Sequence, residues 1–319
     1  MTQFDSGRPD MNRITLTTKP QEGYALVDSG AEEKLERYGE VLLARPDPQA
    51  LWPKRLGEGE WAKAAGRYER RGKEGVWHAN DLPEEWHISF EGFTFLIKPT
   101  SFKHTGLFPE QLPNWQWIQT TLRKSTPLRR DSVNFSGDPN SSVETFAPRV
   151  LNLFGYTGGA TLAAAAAGAE VTHVDASKTA VTWARENAKL SGLEDKSIRW
   201  IVEDALTYLE REAKRGSKYD AIVMDPPAFG HGPKDELWKF EEHFLELMKL
   251  CGEILSDTPL FVLINGYAAG YSPLAFAYNL EPLVKKFGGS IEYGDLTIAE
   301  EGSERVLPCG IFARVSFSS

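Results

Sequence analysis

Cysteine is scarce in this chain, and long hydrophobic runs are missing from it. Two cysteines among 319 residues do not make a disulfide framework and fit a protein kept in a reducing cytosol. Because no apolar stretch reaches about 18 residues, the sequence predicts no membrane-spanning helix. The first residues show no basic segment followed by an apolar one, so we expect no signal peptide and a cytoplasmic location. The histidines and cysteines show no metal-ligand spacing, which predicts no metal site.

The charge balance is acidic, but the positive charges are clustered. A net charge of −9 argues against binding nucleic acid by overall charge alone. Residues 45–73 nevertheless hold eight basic and four acidic residues, with three aromatic residues between them, Trp52, Trp61 and Tyr68. Residues 123–130 form a second basic cluster. Basic side chains with interleaved aromatics are typical of a nucleic-acid groove, and the same composition also describes a solvated surface with its aromatics turned inward.

Residues 150–159, Val-Leu-Asn-Leu-Phe-Gly-Tyr-Thr-Gly-Gly, are typical of a buried strand that ends in a glycine turn. An alanine-rich helix follows, and residues 168–175 return as a second strand, a unit that builds parallel sheets. The glycines allow a ligand to approach the backbone closely, and Asp175 is placed to accept hydrogen bonds from ribose hydroxyls. The spacing differs from the G-x-G-x-x-G fingerprint of dinucleotide enzymes. A turn that binds nothing is the plainer alternative.

The segment Asp225-Pro-Pro-Ala-Phe229 follows a second apolar strand over residues 219–224. The two prolines end that strand, which places Asp225 at the ligand-binding edge of an open α/β sheet. Asp225 and the backbone carbonyls of this turn can accept N–H donors of a planar group. Phe229 can stack on a flat ring, which is worth about 1–3 kcal/mol for a nucleobase. The alternative is a proline stop followed by a core phenylalanine.

Asp204 ends a third strand over residues 200–204 and precedes a helix. It can accept the amino group of an adenine, and it can equally cap the helix that follows. The two roles are compatible.

The rest of the chain predicts three parts. Residues 1–23 are expected to form a loose N-terminal arm, and residues 24–99 a small β-rich domain that is a candidate for substrate or RNA recognition. Within it, residues 86–90 and 93–97 alternate apolar and polar side chains around Glu91-Gly92, which indicates a β-hairpin. Residues 100–319 form the predicted catalytic domain, with a Ser-, Asn-, Gly- and Pro-rich loop over residues 132–148.

These motifs resemble the large-subunit (23S) ribosomal RNA methyltransferase family, which contains cytosine-C5 and guanine-N7 enzymes. The resemblance spans roughly residues 85–319 and rests on residues 103–111 with Asn114, 153–159, 174–177 and 225–229. It implies an α/β fold, a Rossmann-like seven-stranded methyltransferase sheet behind the β-rich domain. It also implies S-adenosylmethionine as cofactor and RNA, in the first place ribosomal RNA, as substrate and partner.

The resemblance also assigns site residues. A wall over the cofactor is implied for Thr105, Gly106, Phe108 and Gln111. The methionine side is implied for Asn152, Gly155, Tyr156, Gly158 and Gly159, the ribose side for Asp175 with Ser177, and the adenine side for Asp204. The catalytic motif that faces the acceptor and the methyl group is implied for Asp225, Pro226, Pro227 and Phe229.

One departure from the family pattern predicts the type of acceptor atom. Methylation of cytosine C5 needs a thiolate nucleophile, and in the C5 members a cysteine follows the fifth strand. Here that place, residues 263–271, holds no cysteine. Cys251 lies on an apolar helix face and Cys309 in the last hairpin, so both are predicted to be structural.

We therefore predict transfer to a base nitrogen of RNA, with Asn265 as a further polar contact. His231 is either a base or a surface residue. A methyltransferase of a small molecule or a protein is the alternative that the acidic charge favours. A third is a non-catalytic module that keeps the fold to bind a partner or to scavenge the cofactor.

Overall fold

The computed structural model describes residues 9–71, 74–125, 128–129, 145–267 and 270–318. Its strands in chain order are β1 (Asp10–Thr18), β2 (Tyr24–Gly30), β3 (Glu33–Tyr38), β4 (Val41–Pro46), β5 (Gly66–Arg71), β6 (Glu74–Ala79), β7 (Trp86–Phe90), β8 (Phe93–Ile97), β9 (Leu128–Arg129), β10 (Thr145–Phe146), β11 (Arg149–Leu153), β12 (Glu170–Asp175), β13 (Ile198–Val202), β14 (Ala221–Met224), β15 (Phe229–His231), β16 (Leu237–Lys239), β17 (Phe261–Gly266), β18 (Ser290–Ala299) and β19 (Val306–Ser316). Its helices are α1 (Glu58–Trp61), α2 (Leu112–Ser125), α3 (Gly159–Ala166), α4 (Lys178–Leu190), α5 (Ala205–Arg215), α6 (Phe240–Ile254) and α7 (Pro273–Phe287), with a 3₁₀ turn at Pro109–Gln111.

The main sheet has eight strands in the order β1-β18-β19-β17-β14-β11-β12-β13. Strands β13, β12, β11, β14 and β17 are parallel neighbours, and β19 runs antiparallel between β17 and β18. This confirms the predicted α/β fold and its seven-stranded methyltransferase sheet. The carboxyl ends of the central parallel strands meet at one edge, where open α/β sheets bind ligands.

The eighth strand corrects the prediction of a loose arm over residues 1–23. Asp10–Thr18 pairs in parallel with β18 along its whole length, from Asp10 opposite Ser290 to Thr18 opposite Ile298. Within this strand, Ile14 and Leu16 are partly buried and pack against the hydrophobic core. The prediction was wrong for this segment because the partner strand lies about 280 residues later in the chain. Local sequence carries little information on such a pairing. Residues 1–8 lie outside the described residues.

Both faces of the sheet are covered, as expected for parallel strands. Leu151 and Leu153 of β11 point into one core cluster, where α5, α6 and α7 pack, whereas Val150, which precedes them, points into the opposite cluster with α2 and α3. The same alternation separates Ile222 from Val223 on β14. Successive side chains of a strand point to opposite faces, so a short all-apolar run is what a doubly covered strand requires.

The β-rich part contains a five-stranded sheet of β2 to β6 and the hairpin β7–β8, which confirms the predicted hairpin. The hairpin docks on α4. The amide of Leu96 donates to Asn187 at 2.9 Å, and the Trp183 indole donates back to the Leu96 carbonyl at 2.9 Å. One hydrophobic cluster joins β2, β7 and β8 to α2 and α3. The boundary predicted at residue 99 stays a prediction, but the two parts share a core.

Candidate active site

Two cavities lie side by side at the carboxyl edge of the sheet. The larger, about 410 Å³, is lined by residues that follow β11, β12, β13, β14 and β17. The smaller, about 60 Å³, is lined by the glycine turn after β11 and by the segment around residues 106–111. Asp225 lines both cavities, and so do Phe108, Phe154 and Tyr156. A ligand that fills both cavities would therefore have its middle beside Asp225.

The turn after β11 has the tight backbone that its glycines predict. Phe154 and Tyr156 adopt φ values of 55° and 47°, and Gly158 adopts 91°. Left-handed conformations of non-glycine residues cost about 1–3 kcal/mol each and collect at functional sites. A Cβ on Gly155 would overlap the His173 ring, and one on Gly159 would overlap the Trp115 ring. Gly155 and Gly159 are therefore required for space, and Gly158 is required for its left-handed backbone.

Asp175 is held against this turn by backbone donors. Its Oδ2 accepts the amide of Tyr156 at 2.9 Å, and its Oδ1 accepts the amide of Ser177 at 2.8 Å. Burial raises the pKa of Asp175, and these two hydrogen bonds oppose that rise. Each carboxylate oxygen keeps a further lone pair on the cavity side, which suits two neighbouring hydroxyl donors such as those of a ribose.

Asp204 is the N-cap of α5, since its Oδ1 accepts the amide of Thr207 at 2.9 Å. This confirms the capping interpretation. Asp204 also lines the larger cavity, and within the part of the chain that the structure describes its Oδ2 accepts no hydrogen bond. That oxygen can accept an adenine amino group without loss of the cap. The adenine contact itself stays a prediction.

The smaller cavity is lined by polar side chains, and residues outside the lining orient them through hydrogen bonds. Asn114 donates through Nδ2 to Asn265 Oδ1 at 2.8 Å and accepts from Arg314 Nη1 at 3.1 Å. Because the carbonyl oxygen of Asn265 is occupied, its amide nitrogen remains as a donor at the cavity. Gln111 donates to the Tyr267 hydroxyl at 2.7 Å, whereas its buried Oε1 has no hydrogen-bond partner among the described residues.

A free amide donor and an orphaned acceptor match the carboxylate and the ammonium group of an amino acid. The arrangement thus fits the methionine end of S-adenosylmethionine, and Asp175 and Asp204 in the larger cavity fit its adenosine end.

Asp225 closes β14 where the two cavities meet. Its pKa is raised to about 7, first by burial and then by the neighbouring carboxyl of Glu110. Pro226 and Pro227, which also line the larger cavity, keep this turn rigid. A carboxylate with a pKa near neutrality can both accept an N–H hydrogen bond and take up a proton at physiological pH.

Most predicted site residues line the two cavities, but Thr105 and Phe229 do not. Thr105 is buried behind the wall, and its carbonyl accepts the amide of Lys98. Phe229 lies on the rim in the small hairpin β15–β16 and is 56% exposed. Its ring packs edge-to-face against His231, with the ring centroids 5.2 Å apart. His231 does line the larger cavity. Phe229 is therefore placed at the mouth and not inside the pocket.

The sequence did not single out several lining residues, His104, Phe154, Glu203, Trp238 and Tyr267. Phe154 and Tyr267 follow strand ends, so their positions alone could have indicated them. Trp238 reaches the site because β16 pairs with β15 and its indole donates to the Pro227 carbonyl at 2.6 Å. No local signal predicts that pairing.

The basic run at residues 45–73 is largely neutralised. Lys54 and Arg67 both pair with Glu33, and Trp61 and Tyr68 are buried. For these residues the structure supports the interpretation of a surface with its aromatics turned inward. Residues 72–73 of this run, and 126–127 and 130 of the second cluster, lie outside the described residues.

Comparison with known proteins identifies the family. A family model described as Conserved hypothetical protein 95 matches residues 141–242. The crystal structure of a SAM-dependent methyltransferase from Agrobacterium tumefaciens is 37% identical, with a TM-score of 0.87 over 97% of this chain and 95% of that one. The chain belongs to the S-adenosylmethionine-dependent methyltransferases. Its cofactor is thus S-adenosylmethionine, as the two cavities indicate.

Curated relatives of this methyltransferase carry ribosomal RNA names. Ribosomal RNA large subunit methyltransferase I of Aeromonas salmonicida is 34% identical over 49% of this chain and 34% of its own length. Ribosomal RNA large subunit methyltransferase K of Neisseria meningitidis is 29% identical over 67% of this chain and 57% of its own length. The chain thus spans from about a third to just over half of these relatives. Among its described helices, none is long and apolar enough to cross a membrane.

The cysteines of this methyltransferase are expected to be dispensable for transfer. Neither of them, both within the described residues, lines a cavity. Cys251 is fully buried beside Leu247 in the main core, and burial raises the pKa of both thiols. Cys251→Ser and Cys309→Ser should keep wild-type turnover in a methyl-transfer assay, with at most a lower melting temperature for Cys251→Ser because a buried hydroxyl is costly. Lost turnover at an unchanged melting temperature would restore the thiolate mechanism.

Proposed function

We propose that this methyltransferase transfers a methyl group to a base nitrogen of RNA, in the first place ribosomal RNA. The observation that carries the proposal is Asp225, a carboxylate at the junction of the cofactor cavities, in a pocket whose walls contain no cysteine among the described residues. A ring nitrogen or an exocyclic amine attacks with its own lone pair and needs no covalent enzyme intermediate. The names of the curated relatives support RNA as the acceptor.

The bound cofactor supplies an electrophilic methyl group on a sulfonium. Asp225 accepts an N–H of the acceptor base, which aligns the nitrogen lone pair for in-line attack. The rigid Pro226–Pro227 turn keeps this carboxylate in place, and the aromatic rings of Phe154, Trp238 and Tyr267 exclude water. Formation of the bond between the nitrogen and the methyl carbon would break the methyl–sulfur bond and leave a neutral thioether and a cationic nitrogen. Where that nitrogen carries a hydrogen, Asp225 can take the proton, since its pKa is raised to about 7. Phe229 on the rim is a stacking surface for the entering nucleotide.

A second candidate, methylation of a small molecule or a protein, is favoured by charge. The larger cavity is lined by the acidic residues Asp175, Glu203, Asp204 and Asp225, and the Lys54 and Arg67 cations of the basic run are paired. RNA binding needs unpaired cations near the mouth and weakens steeply with salt. The salt dependence of transfer therefore distinguishes the two candidates.

The decisive test is transfer of labelled methyl from S-adenosylmethionine into unmodified ribosomal RNA, with protein and metabolite extracts assayed in parallel. We expect label in RNA, a rate that falls with salt, and an N-methylated nucleoside on mass spectrometry. A 5-methylcytidine product would contradict the mechanism. Label in protein or metabolites alone would contradict the RNA substrate.

A further inference from the structure

Arg45 opens the basic run of the sequence, yet it is one of the most buried cations of the β-rich part, with 6% of its surface exposed. Its guanidinium donates in three directions. Nε donates to Glu36 Oε2 at 2.7 Å, Nη2 to the Tyr38 hydroxyl at 2.7 Å, and Nη1 to the backbone carbonyl of Lys103 at 2.8 Å. The first two contacts stay within the β-rich sheet. The third leaves the sheet and reaches the segment that forms the wall of the cofactor cavity.

Glu36 is the buried anion that holds Arg45. It is fully buried, and its Oε1 accepts the Tyr24 hydroxyl at 2.8 Å. Burial alone would raise the pKa of Glu36, but Arg45 and Lys34 hold it below its ordinary value. Buried ion pairs often contribute little to stability, because desolvation of the charges offsets their attraction. A contribution to folding stability therefore does not fully explain why Glu36 and Arg45 form a buried ion pair. The hydrogen bond from Arg45 to the Lys103 carbonyl suggests a second role.

The segment that forms the wall of the cofactor cavity begins at Lys103, whose carbonyl accepts the hydrogen bond from Arg45. Lys103 has a left-handed backbone with φ of 65°, which needs support from its surroundings. The next residue, His104, lines the larger cavity, and its ring contacts Phe108 at 5.4 Å and Tyr156 at 6.3 Å. At Gly106 a second anchor follows, where the Thr157 hydroxyl donates to the backbone carbonyl at 2.6 Å. Arg45 and Thr157 thus fix the two ends of residues 103–106.

We propose that Arg45 is a positioning residue for the cofactor. It touches neither cavity and acts through the Lys103 carbonyl, so that the β-rich sheet sets the position of His104 and Phe108 beside the cofactor. The inference rests on the family assignment and is independent of the acceptor.

The test uses the full chain and a variant that removes both members of the buried pair, while Lys34 keeps Asp47 as its anion at 3.3 Å. Glu36→Gln combined with Arg45→Gln removes both charges together. We expect an about tenfold weaker Kd for S-adenosylhomocysteine in calorimetry, the effect of one lost charge-assisted hydrogen bond. Hydrogen–deuterium exchange of the ligand-free protein should become faster over residues 98–108. In transfer assays KM for S-adenosylmethionine should rise while kcat stays nearly unchanged.

The matched control is Glu300→Gln, which alters another buried carboxylate of the same region. Glu300 bonds to Ser29 and lies near Arg55, and neither contact reaches residues 98–108. It should lower the melting temperature without changing Kd or the exchange of that segment. Equal losses in the control, or a folded double variant with wild-type Kd and exchange, would overturn the proposal.

If the double variant does not fold, Arg45→Lys carries the test. It keeps a charge beside Glu36 but loses the three-way fork of the guanidinium. The proposal predicts a weaker Kd in a folded variant whose melting temperature falls no further than that of Glu300→Gln, and wild-type binding would overturn it.

Discussion

Asp225→Ala is expected to reduce methyl transfer by about a hundredfold or more while leaving cofactor binding mostly intact. Asp225 lies where the two cavities meet. In the proposed mechanism its carboxylate faces the reacting atoms, whereas Asp175, Asp204 and the glycine turn are proposed to hold the cofactor. The measurement is single-turnover transfer, together with calorimetry of S-adenosylhomocysteine. Asp235→Asn is the matched control, because it removes an exposed carboxylate from the same loop region. Retained turnover in Asp225→Ala would remove this residue from the acceptor site.

The same residue predicts a pH profile. In the proposed mechanism the ionised carboxylate accepts the acceptor N–H, and the fraction of this form grows as pH rises through a pKa of about 7. We expect kcat/KM to fall about tenfold for each pH unit well below 7. The positive charge of the bound cofactor favours the carboxylate, so the corresponding inflection in kcat should lie at lower pH. A profile that is flat from pH 5 to about 8, measured on folded protein, would contradict a role for the ionised carboxylate.

Asp175→Ala is expected to weaken cofactor binding by about a hundredfold. The substitution removes the oxygens that are proposed to accept the ribose hydroxyls, and it also leaves the Tyr156 and Ser177 amides of the turn without their acceptor. Calorimetric titration with S-adenosylhomocysteine measures the effect, and transfer at saturating cofactor should recover much of the wild-type rate. Glu170→Ala, an exposed carboxylate at the start of the same strand, is the control and should bind normally. Unchanged affinity in Asp175→Ala would remove this residue from the ribose site.

Local patterns predicted the central sheet well. The run at β14 is wholly apolar, and the run at β11 is apolar apart from Arg149 and Asn152, because both faces of these short strands are buried. Each run is followed by residues that end the strand. Such signals lie within a few residues of each other, so they are readable without the fold. The β7–β8 hairpin was predicted for the same reason, since alternation and the Glu91-Gly92 turn are both local.

Long-range pairings were not predicted. β1 joins the sheet because the outer edge of β18 needs hydrogen-bond partners, and the chain that satisfies them comes from the other end of the sequence. Trp238 enters the larger cavity only because β16 folds back on β15. In the basic run, whether a cation is free or paired depends on carboxylates brought near by folding, such as Glu33 beside Lys54 and Arg67.

The sequence by itself predicted the class of fold and the cofactor, and it placed Asp175, Asp204 and Asp225 at strand ends. Strand ends and glycine turns are local features, and a parallel sheet brings them to one edge. Only the tertiary structure decided what surrounds them. It placed Phe229 on the rim and Thr105 behind the wall, and it buried Arg45 against Glu36. Packing, burial and ion pairing depend on contacts between residues that are far apart in the sequence, and these contacts form only when the chain folds.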